Sequence, residues 1–286
     1  HTFNMSIMAL RRLIPGRGVA AGLSLSLVCG HRLIACDGQG SRFRGETVLV
    51  TGSNRGLGLE FARQLKSQGA QVIATCRDPQ RASDLRSLGV RVEPLDTTDQ
   101  DSVDALVAQL RAEGLTVDVL VNNAGIASKN HPVDPAIDAD VQEVARVFDT
   151  NVLGTLRMTK AVLKSGLMDK SSRRLVVMLS SDLGSITKTF TAQSAKVQPG
   201  GVVSYRISKA ANNMAARVLA AELSPRGYTC IALSPGWVQT DMGSSGGRTA
   251  PLDPATSISG MLRVMEKASP ESTGQFLNYK GEVVPW

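Results

Sequence analysis

From Gly45 to the last residue, short apolar runs alternate with amphipathic stretches, and this alternation limits what the chain can fold into. Thr47–Val50 is a short, mostly apolar run that ends at a glycine turn, which predicts a strand buried on both faces. Leu57, Phe61 and Leu65 recur every four residues, with Ala62 beside them, and the pattern halts at Gly69. That predicts a helix with a glycine stop. Gln71–Thr75 and the alternating Val90–Leu95 predict two more strands. Val103, Leu106, Val107 and Leu110 form a helical stripe that ends before Gly114. Strands follow at Asp118–Val121, Arg174–Leu179, Cys230–Leu233 and Gln275–Asn278. Helices separate them: a long one beginning at Val141, Val144, Val147 and Phe148, an Ala-rich one over Tyr205–Leu223, and a last one marked by Ile258, Met261, Leu262 and Met265. The strands bear few polar residues on either face. The whole predicts an α/β fold, a doubly wound parallel sheet of Rossmann type with helices on both sides. No repeat or interior linker is visible, so residues 45–286 read as one domain preceded by an extension, residues 1–44.

Charge separates these two parts. The chain carries a formal +7, but residues 1–44 hold six Arg, no Lys, no Glu and one acid, Asp37, for a net +5. The remainder is nearly neutral, which argues against a nucleic-acid surface. An Arg-rich, acid-poor N-terminus is expected to target an organelle, with a mitochondrion favoured and plastid or cytoplasm as alternatives. Its uncharged run Gly18–Gly30 is 13 residues long, too short to span a bilayer comfortably. Docking on a protein complex or a membrane surface is the expected role of the segment. The four cysteines contain no CxxC pair and the three histidines are not spaced as metal ligands, so no metal site is expected.

The first strand runs into Thr51-Gly52-Ser53-Asn54-Arg55-Gly56-Leu57-Gly58. Gly52 permits a sharp exit from the strand, Gly56 lets backbone approach a pyrophosphate, and Gly58 lets the helix pack close to the sheet. The helix N-terminus then faces an anion. This TGxxxGxG spacing resembles the cofactor fingerprint of the short-chain dehydrogenase/reductase family. Further motifs follow in the family's order along residues 45–286. Asp96 in LDTTD matches the acid that contacts adenine, and Asn123, Ala124 and Gly125 in NNAG match the motif beside the adenine ribose. Asn151 in NVLG, Ser181 in SSDLG, and Tyr205 and Lys209 in YRISK match the family's catalytic set. Pro235, Gly236, Val238 and Thr240 match the loop that holds the nicotinamide. RGLGLEFARQL, YRISKAANNM and the closing GQFLNYKGEVVPW are most similar to the sniffer-type and C-factor-like carbonyl reductases of that family.

The resemblance implies an NADP(H)-dependent oxidoreductase acting on a small-molecule carbonyl substrate (an aldehyde, ketone or quinone), with a homodimer as one expected assembly. In it, Tyr205 gives the proton, Ser181 steadies the carbonyl oxygen, Lys209 holds the nicotinamide ribose and Asn151 holds a water. Tyr205 and Lys209 are four residues apart and share a helix face. A nearby ammonium and the positive oxidised nicotinamide are both expected to lower the Tyr205 pKa from its ordinary value near 10 towards the working pH. The second strand ends without an acid until Asp78, while Arg55 and Arg77 bracket the expected place of a 2′-phosphate, which favours NADPH. One departure stands out: Ser181 and Tyr205 are 24 residues apart, wider than the family's usual spacing, so an inserted segment borders the site. That segment and the basic extension leave a second reading open, a reductase-fold accessory subunit of a larger organellar complex with little turnover.

Overall fold

The structure, a computed structural model, describes residues 43–190 and 200–286. Most of the basic extension, and residues 191–199 of the inserted segment after Ser181, lie outside the described residues. Seven strands form one sheet: β1 Thr47–Val50, β2 Gln71–Cys76, β3 Arg91–Pro94, β4 Val119–Asn122, β5 Leu175–Leu179, β6 Thr229–Ser234 and β7 Phe276–Asn278. The order across it is β3-β2-β1-β4-β5-β6-β7 and every pairing is parallel. This is the doubly wound fold that the alternation predicts.

Successive side chains on a strand feed opposite layers. Val48 and Val50 of β1 pack with Phe61 and Leu65 of α1 (Gly56–Ser67) and with Met261 and Met265 of a C-terminal helix. Leu49 between them packs on the other face. There it meets Val103 and Leu110 of α3 (Gln100–Ala112) and Met158 of α5 (Gly154–Lys164). The short α2 (Ser83–Ser87) adds Leu85 to the first layer. The remaining helices are α4 (Val141–Phe148), α6 (Val203–Leu223) and α7 (Pro254–Lys267).

Two features differ from the sequence reading. The long helix expected from Val141 is interrupted: a π-helical turn, Asp149–Leu153, separates α4 from α5 and carries Asn151 on its inner side, with no exposed surface. Such turns widen the helix at one point and re-aim a side chain. Second, Phe43, which the sequence places in the extension, belongs to the core. It is fully buried in the α1/α7 layer, and the Arg173 guanidinium lies over its ring at 4.7 Å. The packed unit therefore takes in Phe43 as well as the expected start at Gly45.

In an open parallel sheet, the crevice forms where neighbouring connections leave towards opposite faces, here between β1 and β4. Thr51, Asn123, Ser181 and Pro235 each follow the C-terminal end of a strand along this edge.

Candidate active site

The glycine turn is locked to the end of β4. Thr51 Oγ1 accepts from the amides of Asn123 and Ala124, both at 3.0 Å. The Asn123 side-chain amide donates to the Thr51 and Gly52 carbonyls, both at 2.9 Å. A Cβ on Gly58 would lie 2.2 Å from the Gly52 carbonyl oxygen and 2.6 Å from Asn123 Nδ2, so only glycine fits. Gly52 and Gly56 take left-handed φ values of +67° and +56°. Two residues expected to contact a cofactor thus hold the turn through their side chains, Thr51 and Asn123. Ser53 must be corrected: it is fully enclosed, its hydroxyl donates to the Val50 carbonyl at 2.9 Å and its amide to Thr75 at 2.7 Å. Both donors of Ser53 are therefore already used within the turn.

Asn54 and Arg55 stand exposed on the crest of the turn. No side chain caps the start of α1 and no acid lies in its first turn, so its amides are open to an anion. These are the groups a dinucleotide pyrophosphate needs, and they fit it. Arg77 is exposed just after β2, and its charge reaches Asp96. Burial would raise the Asp96 carboxyl, but hydrogen bonds from Thr98 and the Arg77 charge hold it below its ordinary value. Arg55, however, does not point at Arg77: it is ion-paired with Asp241 at 2.6 Å.

Ser181 begins a short turn after β5, its Oγ accepting from the Leu183 amide at 3.2 Å. The glycine three residues on has a packing reason: a Cβ on Gly184 would sit 2.8 Å from the backbone carbon of Lys209 on α6. The turn is thereby pressed against α6, and the Ser181 hydroxyl comes close enough to act on the Tyr205 phenol. One turn further on, Lys209 is buried, and its Nζ donates to the Leu179 carbonyl at 2.7 Å. Nζ lies 5.5 Å from the Tyr205 ring centre. Asn151 anchors the floor. Its side chain accepts from the Ile126 amide at 2.8 Å and donates to the Ile126 carbonyl at 2.9 Å and Ser208 Oγ at 3.0 Å.

In the protein without its cofactor, burial sets the electrostatics of this pair. Burial pushes the Tyr205 phenol up to about 12, with the Ser181 hydroxyl pulling the other way. Burial also brings Lys209 down to about 8. Desolvation disfavours both charged forms, so Lys209 does not draw Tyr205 towards neutral pH in the ligand-free protein.

Ser181, Tyr205, Leu57, Pro235, Gly236, Val238 and Thr240 line one cavity of about 200 Å³ together with His131, Trp237 and Arg248. Trp237 sits within the nicotinamide loop that the sequence marks, whereas His131 and Arg248 belong to no motif and only the fold delivers them to the cavity.

A family model described as short chain dehydrogenase matches residues 46–250, and the chain belongs to that family. Among its relatives, the C-signal protein of Myxococcus xanthus is 43% identical over 170 residues, 59% of this chain and 93% of that protein. A 1-hydroxy-2-glutathionyl-2-methyl-3-butene dehydrogenase of a Rhodococcus species is 32% identical over 242 residues, 84% of this chain and 99% of the other. Of solved structures, the NADPH-bound carbonyl reductase from chicken fatty liver matches with a TM-score of 0.75 at 35% identity, covering 85% of this chain and 100% of that one. The carbonyl reductase Sniffer of D. melanogaster matches at 0.76 and 32% identity, with the same coverage.

Proposed function

We propose that this protein is an NADPH-dependent carbonyl reductase that converts a small aldehyde, ketone or quinone into an alcohol, with Tyr205 as the proton donor. The observation behind this reading is Tyr205, its phenol held protonated by burial, lining one cavity with Ser181 and backed by the buried Lys209. The NADPH bound in the chicken reductase, together with the uncapped α1 terminus and the exposed Arg77, supports the choice of cofactor. When bound, that cofactor supplies the hydride to the carbonyl carbon.

The residues of the chain handle the oxygen. Ser181 donates a hydrogen bond to the carbonyl oxygen and stabilises the charge that grows there. Tyr205 passes its phenolic proton to that oxygen, and the alcohol forms. A phenol held neutral is the correct starting state for this direction. The resulting phenolate is recharged from Lys209, whose pKa of about 8 lets it exchange a proton with solvent near neutral pH. Asn151 fixes the β4-side backbone at Ile126 through paired hydrogen bonds, so its side chain acts as a positioning group behind Lys209.

NADPH oxidation measured against a panel of aldehydes, ketones and quinones tests the reading. Turnover of at least one carbonyl class, lost in Tyr205→Phe, is the expected result. We also propose that residues 1–44 direct the protein to a mitochondrion, which a fluorescent fusion of that segment would show.

A further inference from the structure

We infer that the substrate of this site carries an anionic group, a carboxylate, and that Arg248 binds it. The inference rests on the proposed reductase function and deepens it. Arg248 lines the same cavity as Tyr205 and Ser181. Its guanidinium is fastened rather than free: Nε donates to the Ser245 carbonyl at 3.0 Å, and Nη2 to the Met242 carbonyl at 2.9 Å and to Ser245 Oγ at 3.0 Å. Its plane carbon lies 5.8 Å from the Trp237 ring centre, and Trp237 is itself pinned by its indole N–H to the Gly243 carbonyl at 2.8 Å.

Nη2 also meets His131 Nε2 at 2.7 Å. Arginine has only donors, so Nε2 must be the acceptor and the imidazole is neutral. Burial and the adjacent guanidinium agree with this, bringing His131 down to about 4. The His131 ring in turn lies 6.2 Å from the Tyr205 ring. One imidazole thus separates a fixed cation from the proton donor.

Among the described residues this cation has no counter-ion. Among the described residues, every hydrogen-bond partner of Arg248 is a carbonyl, a hydroxyl or the neutral His131, and no carboxylate pairs with it. The cavity's own acid, Asp182, is taken by Lys188 at 3.4 Å and by Ser234 Oγ at 2.7 Å. Asp134, which acts on His131, accepts from the Ser204 amide at 3.0 Å. Residues 191–199 contain no Asp or Glu. Nη1 makes no hydrogen bond to any described residue. A half-buried guanidinium held in place with one edge unused is suited to the paired oxygens of a carboxylate. Leu57, Leu183 and Met242 line the space around it and suit an apolar body. The substrate class is therefore an apolar aldehyde or ketone with a carboxylate at the end away from the carbonyl.

Two aldehydes of one shape separate the charge from everything else: para-formylbenzoate and its methyl ester. The native protein should reduce the acid with a kcat/KM about 30-fold above the ester, the size of a charge-assisted hydrogen-bond pair. Arg248→Met should bring that ratio to about one, and Arg248→Lys, which keeps the charge and loses the fork, should retain about 5-fold. A native ratio near one overturns the inference while leaving the reductase reading intact. An equal fall in the Lys and Met variants would show a loop fastener, and a raised KM for NADPH in place of the acid would assign Arg248 to the cofactor; either overturns it. Binding of para-(hydroxymethyl)benzoate, read by tryptophan fluorescence in the full chain, needs no turnover. Saturable binding that Arg248→Met abolishes supports the anion site even if the protein reduces neither aldehyde, in which case the reductase reading fails alone. No binding by the native protein overturns the inference.

Discussion

Arg55 on the glycine turn and Asp241 on the loop after β6 are 186 residues apart in sequence and joined by an ion pair at 2.6 Å. The pair bridges the mouth of the cofactor crevice from one side to the other. Both side chains are largely exposed, 69% and 77%, so the pair contributes little stability. Arg55 can then exchange Asp241 for a phosphate at small cost.

The first prediction follows from this exchange. Asp241→Asn frees Arg55 and should lower the KM for NADPH by about 2- to 3-fold, with little change for NADH. Arg77→Asp should raise the KM for NADPH by at least ~10-fold and shift the preference to NADH. The gap between the two cofactors in the native protein should narrow as salt rises. Equal affinities in the native protein would show that neither arginine reads the 2′-phosphate.

Tyr205→Phe keeps the ring and removes only the transferable proton. Turnover should fall by about 10³-fold while NADPH affinity, followed by fluorescence titration, stays close to native. Lys209→Ala should damage both, since it removes the proton exchanger and empties a buried position beside the crevice.

The pKa directions give a stability test. Lys209 falls from an ordinary 10.5 to about 8 in the folded chain. Between those values the unfolded chain holds a proton that the native one has released, so stability rises with pH across that window. Tyr205, raised from 10.0 to about 12, acts oppositely: the native chain keeps a proton the unfolded chain loses, and stability falls from about pH 10 upward. Urea unfolding of the native protein and Lys209→Met between about pH 8 and pH 10 isolates the first effect. The native protein should gain on the variant as pH rises; parallel curves would refute the desolvated ammonium.

Phe43 marks where the packed unit begins. Phe43→Ala should cost about 3–5 kcal/mol, because the ring is fully enclosed and covered by Arg173. Truncation to Gly40 should leave the melting temperature and NADPH affinity near native, whereas truncation to Gly45 should lower the melting temperature clearly. Identical melting curves for the two truncations would place Phe43 outside the cooperative unit.

Gly58→Ala puts a methyl group against the Gly52 carbonyl and the Asn123 amide. The turn must open, so we expect a stability loss of about 1–3 kcal/mol together with weakened NADPH binding. A variant with native binding would mean that the lock between the turn and β4 is not required for the crevice.

What the sequence determined by itself is local and periodic. Val48, Val50 and Leu49 show a strand buried on both faces because such a strand has no polar side to spare. Gly52, Gly56 and Gly58 mark the phosphate turn because left-handed backbone and close approach leave glycine as the fitting residue. Tyr205 and Lys209 share a helix face by spacing alone. Tertiary structure decided the rest. The π turn at Asn151 has no period that distinguishes it from plain helix, and it is fixed by bonds to Ile126 and Ser208, residues 25 and 57 positions away. Ser53 looks like any other polar turn residue until the turn folds over it. Burial, absent from a linear chain, raises Tyr205 in the protein without cofactor. Arg248 and His131 are 117 residues apart and belong to no motif, and they meet because the sheet brings the loops after β4 and β6 to the same edge. Short-range geometry is written in residue spacing; desolvation and contacts between distant loops exist only once the chain has closed on itself.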